Sequence, residues 1–532
     1  MELLTEYLLR EFRMQFRDAA TRVKRPLVER LEEGNAIGGM RVVRHGSDGA
    51  TQRTVFETDS VSSWFRAGDY YYCHPEEEEI DLDVAMQAQG RKQILDITAD
   101  RRTITLPGHY DRDRTWCIDK LPTERFPLTT YPCLLAGAME SACATGDKVR
   151  RWLTAGVAPA SDGLSRRGSR KLTRTQRQAL QRALHDEIVL IQGPPGSGKT
   201  FLIAEIINQL MRDNDQTRIL LCCFSHAAID NGLQAIQACN PGIPLNRVGR
   251  RDEDPPLPPG TIEAGNQIPD SISPGVWGMT AFKAAVWWTR PLSRAYKSVL
   301  PQSPSDADCL TAVRQAWQQA PLPDVEDYFD VVIIDEASQM TVPTALMPMV
   351  NANRCILVGD EKQLPPVSQS TPRFAPSIFD HMIDQYTDDR PVMLDVTHRM
   401  NADICATPSK LFYGGKLHSD AAIRDRRLTY PEAPATFEEE PAWLGRVMDP
   451  QEPVLFVNVE HDTGDESSPE EATVIARIVA GMLATGLTHD EGIAVICAHR
   501  KQNNLVRRYT EQAVRKTFPH DDIDVENLVS DT

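Results

Sequence analysis

The run Gly193-Pro194-Pro195-Gly196-Ser197-Gly198-Lys199-Thr200 constrains this chain more than any other feature. It fits the pattern G-x-x-x-x-G-K-[ST] and follows Ile188-Val189-Leu190-Ile191, an apolar run that reads as a buried strand. A glycine-rich turn between a strand and a helix lets backbone N–H groups face inward around a phosphate. The helix that begins near Lys199 points its positive end at the same place. Lys199 then reaches the β- and γ-phosphates of a bound nucleotide, and the Thr200 hydroxyl ligates Mg²⁺. Residue frequencies make a chance match rare, about 2% for a chain of this size. Nucleotide binding by residues 193–200 is therefore the first expectation.

Val331-Val332-Ile333-Ile334-Asp335-Glu336 supplies a second half. A buried strand delivers two carboxylates at its C-terminal end, where open α/β sheets bind ligands. Asp335 is placed to hold Mg²⁺ through water, and Glu336 to position and deprotonate an attacking water. Alone, an Asp-Glu pair reads equally as the cap of the next helix. With the phosphate loop upstream, the reading shifts to a hydrolase, because a phosphotransferase does not need a water-activating glutamate there.

Apolar strands alternate with helical patterns up to residue 368, at 219–224, 331–334 and 355–358, as a parallel α/β sheet requires. The polar, proline-rich stretch 252–274 interrupts this pattern and marks an insertion of about 250–325. A second α/β set covers 369–532, with candidate strands at 454–457 and 493–497. Ahead of the phosphate loop, Leu4, Leu8, Phe12 and Phe16 give residues 1–37 helical periodicity. Short alternating strands at 38–118 suggest a small β-barrel or sheet, and 119–171 returns to helix and ends in a basic linker.

The net charge of -17 speaks to solubility, whereas a groove for nucleic acid is a local feature. Arg166, Arg167, Arg170, Lys171, Arg174 and Arg177 form one basic cluster, which reads either as a phosphate contact or as a solvated linker. The acidic runs 76–79 and 438–440 read as solvated loops. The 11 cysteines are dispersed with no Cys-x-x-Cys pair, which argues against a zinc module or a four-cysteine cluster. Charges arrive too early for a signal peptide, and no apolar run is long enough to span a membrane. The expectation is an intracellular protein, cytoplasmic with the nucleus left open, with no membrane partner. Trp277, Trp287, Trp288 and Trp317 read as core packing rather than as base-stacking residues.

Gly359-Asp360-Glu361-Lys362-Gln363 follows another strand and resembles motif III of superfamily 1 helicases. The resemblance gives Gln363 the role of sensing the γ-phosphate. Leu172-Thr173-Arg174-Thr175-Gln176 is similar to the adenine-reading segment, with Gln176 as the base contact. Phe224-Ser225-His226-Ala227 resembles motif Ia, and Gly278-Met279-Thr280-Ala281 resembles motif Ib. Thr397-His398-Arg399-Met400-Asn401, followed by Leu411-Phe412-Tyr413-Gly414-Gly415, is similar to motif IV and its downstream helix. Ile493-Ala494-Val495-Ile496-Cys497-Ala498-His499-Arg500 resembles the family's later strand with its basic ending.

This set is similar to superfamily 1B helicases related to the nonsense-mediated-decay helicase and the immunoglobulin-mu-binding-protein helicase. The resemblance implies an α/β fold with two tandem RecA-like P-loop domains, the second incomplete, at 172–368 and 369–532. It also implies a helical stalk at 1–37, continued with a basic linker at 119–171, and an accessory β-barrel at 38–118. ATP with Mg²⁺ would be hydrolysed between the two RecA-like domains, with Arg399 approaching from the second and His398 beside the base. Single-stranded RNA or DNA would be tracked 5′ to 3′, with Ser225, His226, Thr280 and Arg500 as candidate contacts.

Two departures stand out. His398 replaces the family's tyrosine, which reduces stacking area on the adenine. Leu528-Val529-Ser530-Asp531-Thr532 approaches motif V, but motifs V and VI do not follow. A second chain completing that domain is one expectation. The alternative function is a nucleotide-switched module, binding nucleic acid or protein with little turnover.

Overall fold

The structure is a computed structural model. It describes residues 21–48, 51–59, 70–78, 92–98, 101–120, 144–154, 172–249, 256–264, 272–284, 328–367, 377–386, 391–431, 442–460, 467–487 and 493–518, with scattered residues between them. The chain forms two compact units, residues 1–14 with 126–425 and residues 15–125 with 426–532. No described helix is long and apolar enough to cross a membrane. Leu4, Leu8, Phe12 and Phe16, the basic cluster up to Lys171 and the acidic run 438–440 lie outside the described residues, as do Trp287, Trp288 and Trp317.

The unit holding residues 15–125 begins with helix α1 (Leu27–Glu32) and a seven-stranded antiparallel sheet. Its strands are β1 (Ala36–Asp48), β2 (Thr51–Glu57), β3 (Tyr70–Pro75), β4 (Lys92–Gln93), β5 (Asp96–Ile97), β6 (Thr103–Pro107) and β7 (Trp116–Lys120). Their order is β4-β3-β7-β1-β2-β6-β5. Residues 92–97 pair with β3 at one end and β6 at the other, which links the two edges. Alternation assigns the faces: Met40, Phe56, Tyr71, Ile104, Leu106 and Ile118 share one apolar core.

The other unit is built on eight parallel strands: β8 (Ile188–Gln192), β9 (Arg218–Cys223), β10 (Leu245–Val248), β11 (Ile262–Ala264), β12 (Gly275–Thr280), β13 (Phe329–Ile334), β14 (Ala352–Gly359) and β15 (Pro391–Met393). The order is β11-β10-β12-β9-β13-β14-β8-β15, and every pairing is parallel. Helices α2 (Ala144–Thr154), α3 (Arg174–His185), α4 (Lys199–Asp213), α5 (His226–Cys239), α6 (Val342–Met349) and α7 (Ile378–Gln385) accompany it. On one face Val189, Ile191, Leu221 and Ile333 pack with Leu180, Ile203, Ile206 and Leu233. On the other, Leu190, Leu220, Val332 and Ile334 pack with Trp152, Leu346 and Phe379. Burial on both faces is why these strands read as unbroken apolar runs. Trp277 lies in this core, as expected.

Three boundaries differ from the sequence reading. β11 and β12 fall inside the expected insertion of 250–325, yet both are strands of the main sheet. Proline density hid them, because β11 is only three residues long and sits at the sheet edge, where proline-flanked strands survive. β15 pairs with β8, so the sheet continues past the expected division at residue 368. The expected strand at 454–457 forms no ladder among the described residues, and that at 493–497 is reduced to a single bridge residue, Val495. After Arg426 the described elements are helices Ala442–Val447, Pro469–Leu483 and Arg500–Thr517.

Candidate active site

In a parallel sheet all C-terminal strand ends share one edge, and the expected chemistry gathers there. The phosphate loop follows β8, Phe224 and Ser225 follow β9, and Thr280 ends β12. Asp335 and Glu336 follow β13, Asp360 to Gln363 follow β14, and residues 394–399 follow β15. The first strand to reach the loop, β8, is separated from β13 by β14 alone.

The phosphate loop is held open by its own glycines. Gly196 and Gly198 adopt φ values of +72° and +81°, a region that side chains disfavour. The neighbours add a steric reason. A Cβ on Gly193 would strike the Lys199 stem, and one on Gly196 would strike Thr397 and Arg399. Lys199 Nζ donates to the Gly193 carbonyl at 3.1 Å and stands 3.4 Å from Glu336 Oε1. Ser197 is 1% exposed, and its hydroxyl oxygen is buried with no hydrogen-bond partner. An unmatched hydroxyl inside a loop of inward-facing amides fits a phosphate group.

Asp335 is 7% exposed, at the end of a strand buried throughout its last four residues. Burial, and then the adjoining Glu336 carboxylate, raise its pKa from 3.8 to about 6; the Lys199 charge and the Glu336 N–H pull the other way. That N–H donates to Asp335 Oδ1 at 2.9 Å. Glu336 itself has φ +53°, a left-handed conformation costly for a residue with a side chain. The strain turns its carboxylate back toward Lys199. The Asp335 carboxylate and the Thr200 hydroxyl are oxygen donors, the kind that suits Mg²⁺.

Gln363 is held by a relay absent from the sequence reading. Its Nε2 donates to Asp360 Oδ2 at 2.8 Å, and the Tyr413 hydroxyl donates to the same oxygen at 2.7 Å. Asp360 is fully buried, and its backbone N–H donates to Ser338 Oγ just beyond Glu336. Burial, together with the carboxylate, pushes the Tyr413 phenol well above its ordinary pKa, so it remains a donor. Tyr413 closes helix α8 (Ala402–Phe412) and thereby ties that helix to the segment after β14. Its position after Leu411-Phe412 was visible, but its partner was not.

His398 and Arg399, expected to approach from a second domain, lie in the same compact unit as the phosphate loop. The physical reason is β15: pairing with β8 carries the following residues along the loop. The His398 N–H donates to the Gly196 carbonyl at 2.8 Å, and Thr397 Oγ1 donates to the Pro195 carbonyl at 2.9 Å. The His398 ring lies 3.1 Å from Asp420 through Nδ1. Gln176 is placed against the back of the phosphate loop. It is 2% exposed, its Oε1 accepts from Thr173 N, and its Nε2 donates to the Ser197 carbonyl at 3.0 Å. The capping box of α3 and the back of the phosphate loop engage both ends of its amide.

The nucleic-acid candidates divide. Ser225 caps α5, accepting from Ala228 N at 3.2 Å, which is a structural task. His226 faces Arg247, whose Nη2 lies 3.0 Å from His226 Nδ1. A guanidinium only donates, so Nδ1 accepts and the neutral ring carries its proton on Nε2. Arg247 is fully buried and fixed by Asp230 at 2.6 Å, a pair without a sequence signature. Thr280 is 9% exposed. Arg500 opens the last helix, in the other compact unit, and its side chain lies outside the described residues.

A parallel sheet with this loop, this carboxylate pair and this glutamine defines a RecA-like P-loop nucleoside triphosphatase. Two family models, each described as an AAA domain, match residues 171–263 with 289–371 and residues 374–527. The chain is 27% identical over 356 residues to the DNA replication ATP-dependent helicase/nuclease DNA2 of Saccharomyces cerevisiae, covering 63% of this chain and 21% of that one. It is 24% identical over 394 residues to the DNA polymerase alpha-associated DNA helicase A of the same yeast, covering 67% and 57%. It is 27% identical over 363 residues to the DNA-binding protein SMUBP-2 of Rattus norvegicus, covering 63% and 36%. The chain belongs to the superfamily 1 helicases of the decay-helicase and immunoglobulin-mu-binding-protein type. It spans about a fifth to three fifths of the length of these relatives. They do not favour the alternative of a switched binding module.

Proposed function

We propose that this chain is an ATP-dependent motor on single-stranded nucleic acid, moving 5′ to 3′. One observation carries the reading: Lys199, Asp335 and Glu336 converge on the glycine loop, with Gln363 tethered one strand away. Lys199 and the loop amides bind the phosphates, and Thr200 with Asp335 holds the metal. Bound Mg²⁺ supplies charge neutralisation at the phosphates. Glu336 orients and deprotonates the attacking water, and Arg399 stabilises negative charge beside Gly196. The tether through Asp360 and Tyr413 passes the state of Gln363 to helix α8.

The strand itself is proposed to cross the edge that carries Phe224, His226 and Thr280. His226 would donate from Nε2 to a phosphate oxygen. His398 would lie against the base, in place of a tyrosine. The antiparallel sheet of residues 36–120 is proposed as the accessory domain of the family, with the α1 region as its stalk.

The test is ATP hydrolysis with and without single-stranded RNA and DNA, using Glu336→Gln as the blank. Stimulation by one polymer identifies the track. Turnover that neither polymer changes would sink the motor reading. Lys199→Ala should abolish binding of a labelled nucleotide, and unchanged affinity would remove the phosphate-loop assignment.

A further inference from the structure

The accessory sheet carries a polar cluster that the motor reading does not use. β3 and β7 pair so that His74 is opposite Cys117 and Tyr72 is opposite Asp119. His74, Cys117 and Asp119 therefore share one face of the ladder, and Tyr71 and Ile118 on the other face enter the apolar core. The polar face is nevertheless closed: the three residues are 3%, 0% and 1% exposed.

The ring of His74 meets an acceptor at each nitrogen. Nδ1 lies 2.8 Å from the Pro75 carbonyl, and Nε2 lies 3.0 Å from Asp119 Oδ2. With the proton on Nδ1, the Nε2 lone pair points at a carboxylate oxygen, and only a cation between them removes the repulsion. A metal ion is one such cation, and Cys117 adds a third donor beside the pair. Its Sγ lies 3.7 Å from the same Oδ2, and the three ligand atoms all fall within 4.8 Å of one another. Metal–ligand bonds of about 2.0–2.3 Å in a tetrahedron set neighbouring ligand atoms about 3.3–3.7 Å apart. The Sγ–Oδ2 spacing of 3.7 Å lies in that range, and the Nε2–Oδ2 spacing of 3.0 Å is shorter.

We infer that His74, Cys117 and Asp119 form a binding site for one divalent ion of the zinc class. Mixed nitrogen, sulfur and oxygen donors select zinc over Mg²⁺ or Ca²⁺. The surroundings follow the outer-shell pattern of such sites. The Pro75 carbonyl fixes the His74 tautomer, and the Arg30 guanidinium holds Asp119 Oδ1 and leaves Oδ2 to the metal. Arg30 is oriented in turn by its Nε bond to the Arg25 carbonyl at 3.0 Å. Because Arg30 belongs to α1, the ion ties that helix to β3 and β7.

The test is elemental analysis of the full chain purified without chelator, together with titration of the metal-free protein by Co²⁺. The expected result is one zinc per chain and a cobalt–thiolate charge-transfer band. Both should fall at least tenfold in Cys117→Ser and in His74→Ala, and persist in Cys239→Ser. A chelator should lower the unfolding temperature of the wild-type chain, a measurement that does not depend on any variant folding. Wild-type protein that takes up neither zinc nor cobalt overturns the site. Full zinc content in Cys117→Ser would also overturn it, by placing the ion elsewhere.

Discussion

Val331-Val332-Ile333-Ile334 and Val454-Leu455-Phe456-Val457 are four-residue apolar runs of similar β character, and they end in opposite states. The first is no more than 1% exposed at any position, flanked by β9 and β14. The second has no ladder, with Val454 56% and Phe456 90% exposed. Composition is thus a weak guide to a strand. A run becomes a strand when distant segments supply its hydrogen-bonding neighbours and a cover for each face. The buried run can then deliver a rigid carboxylate pair at its end. Asp335 and Glu336 are positioned that way, down to the left-handed turn at Glu336.

The sharpest break in this comparison is chemical. Glu336→Gln keeps the strand, the loop and the nucleotide contacts, and removes the proposed base. Hydrolysis should fall by about 10²–10⁴, the usual contribution of a general base, with nucleotide affinity kept within a few-fold. Single-turnover hydrolysis and nucleotide binding measured side by side check both halves. Retained turnover would mean that another group activates the water.

The next effect is on folding. Ile333→Ala removes a fully buried side chain from the face that also holds Ile203 and Ile206, and should cost about 2–5 kcal/mol. Chemical denaturation of the unit, followed at equilibrium, reads that loss directly. A cost below 1 kcal/mol would show that β13 is less enclosed than its burial indicates.

What the sequence disclosed follows the same division. The phosphate loop, Asp335-Glu336 and Gln363 were legible because each is a short local pattern with a fixed chemical purpose. Gln176, His398 and Arg399 are legible as residues, while their contacts with the phosphate loop are not. Their positions depend on the pairing of β15 with β8 and on the hydrogen bond from Gln176 to Ser197, contacts that span long stretches of chain. Asp360, Tyr413 and the Arg247–Asp230 pair went unassigned, because burial turns ordinary polar residues into fixed ones and leaves no local pattern. The strands β11 and β12 were read as an insertion, since short proline-flanked segments resemble loops until a neighbour claims them.

Asp335 gives a smaller and signed prediction. Its folded pKa lies above its ordinary value, so the native state binds more protons than the unfolded chain between pH 3.8 and about 6. The ionised carboxylate therefore destabilises the nucleotide-free protein above pH 6, and the penalty disappears as pH falls toward 4. Asp335→Asn removes the charge but keeps an acceptor for the Glu336 N–H. It should stabilise the nucleotide-free chain at neutral pH by on the order of 1–3 kcal/mol and eliminate Mg²⁺-dependent nucleotide binding. In the wild type, that binding should weaken as pH drops through about 6. A variant less stable than the wild type at pH 7 would refute the electrostatic account.

The smallest effect tests the other member of the pair. Phe456→Ala removes a larger side chain than Ile333→Ala does, yet Phe456 is 90% exposed. Burial, and not hydrophobic size, sets the cost of truncation, so the change should stay within about 0.5 kcal/mol of the wild type. The comparison requires both variants under the same denaturation conditions, with unfolding of each compact unit followed by its own probe. A cost for Phe456→Ala approaching that of Ile333→Ala would mean that this run is enclosed in solution. The two runs would then differ in when they find their neighbours rather than in whether they do. A neutral result keeps the contrast, with one apolar run consumed by a sheet and carrying the proposed catalytic pair, and the other still exposed.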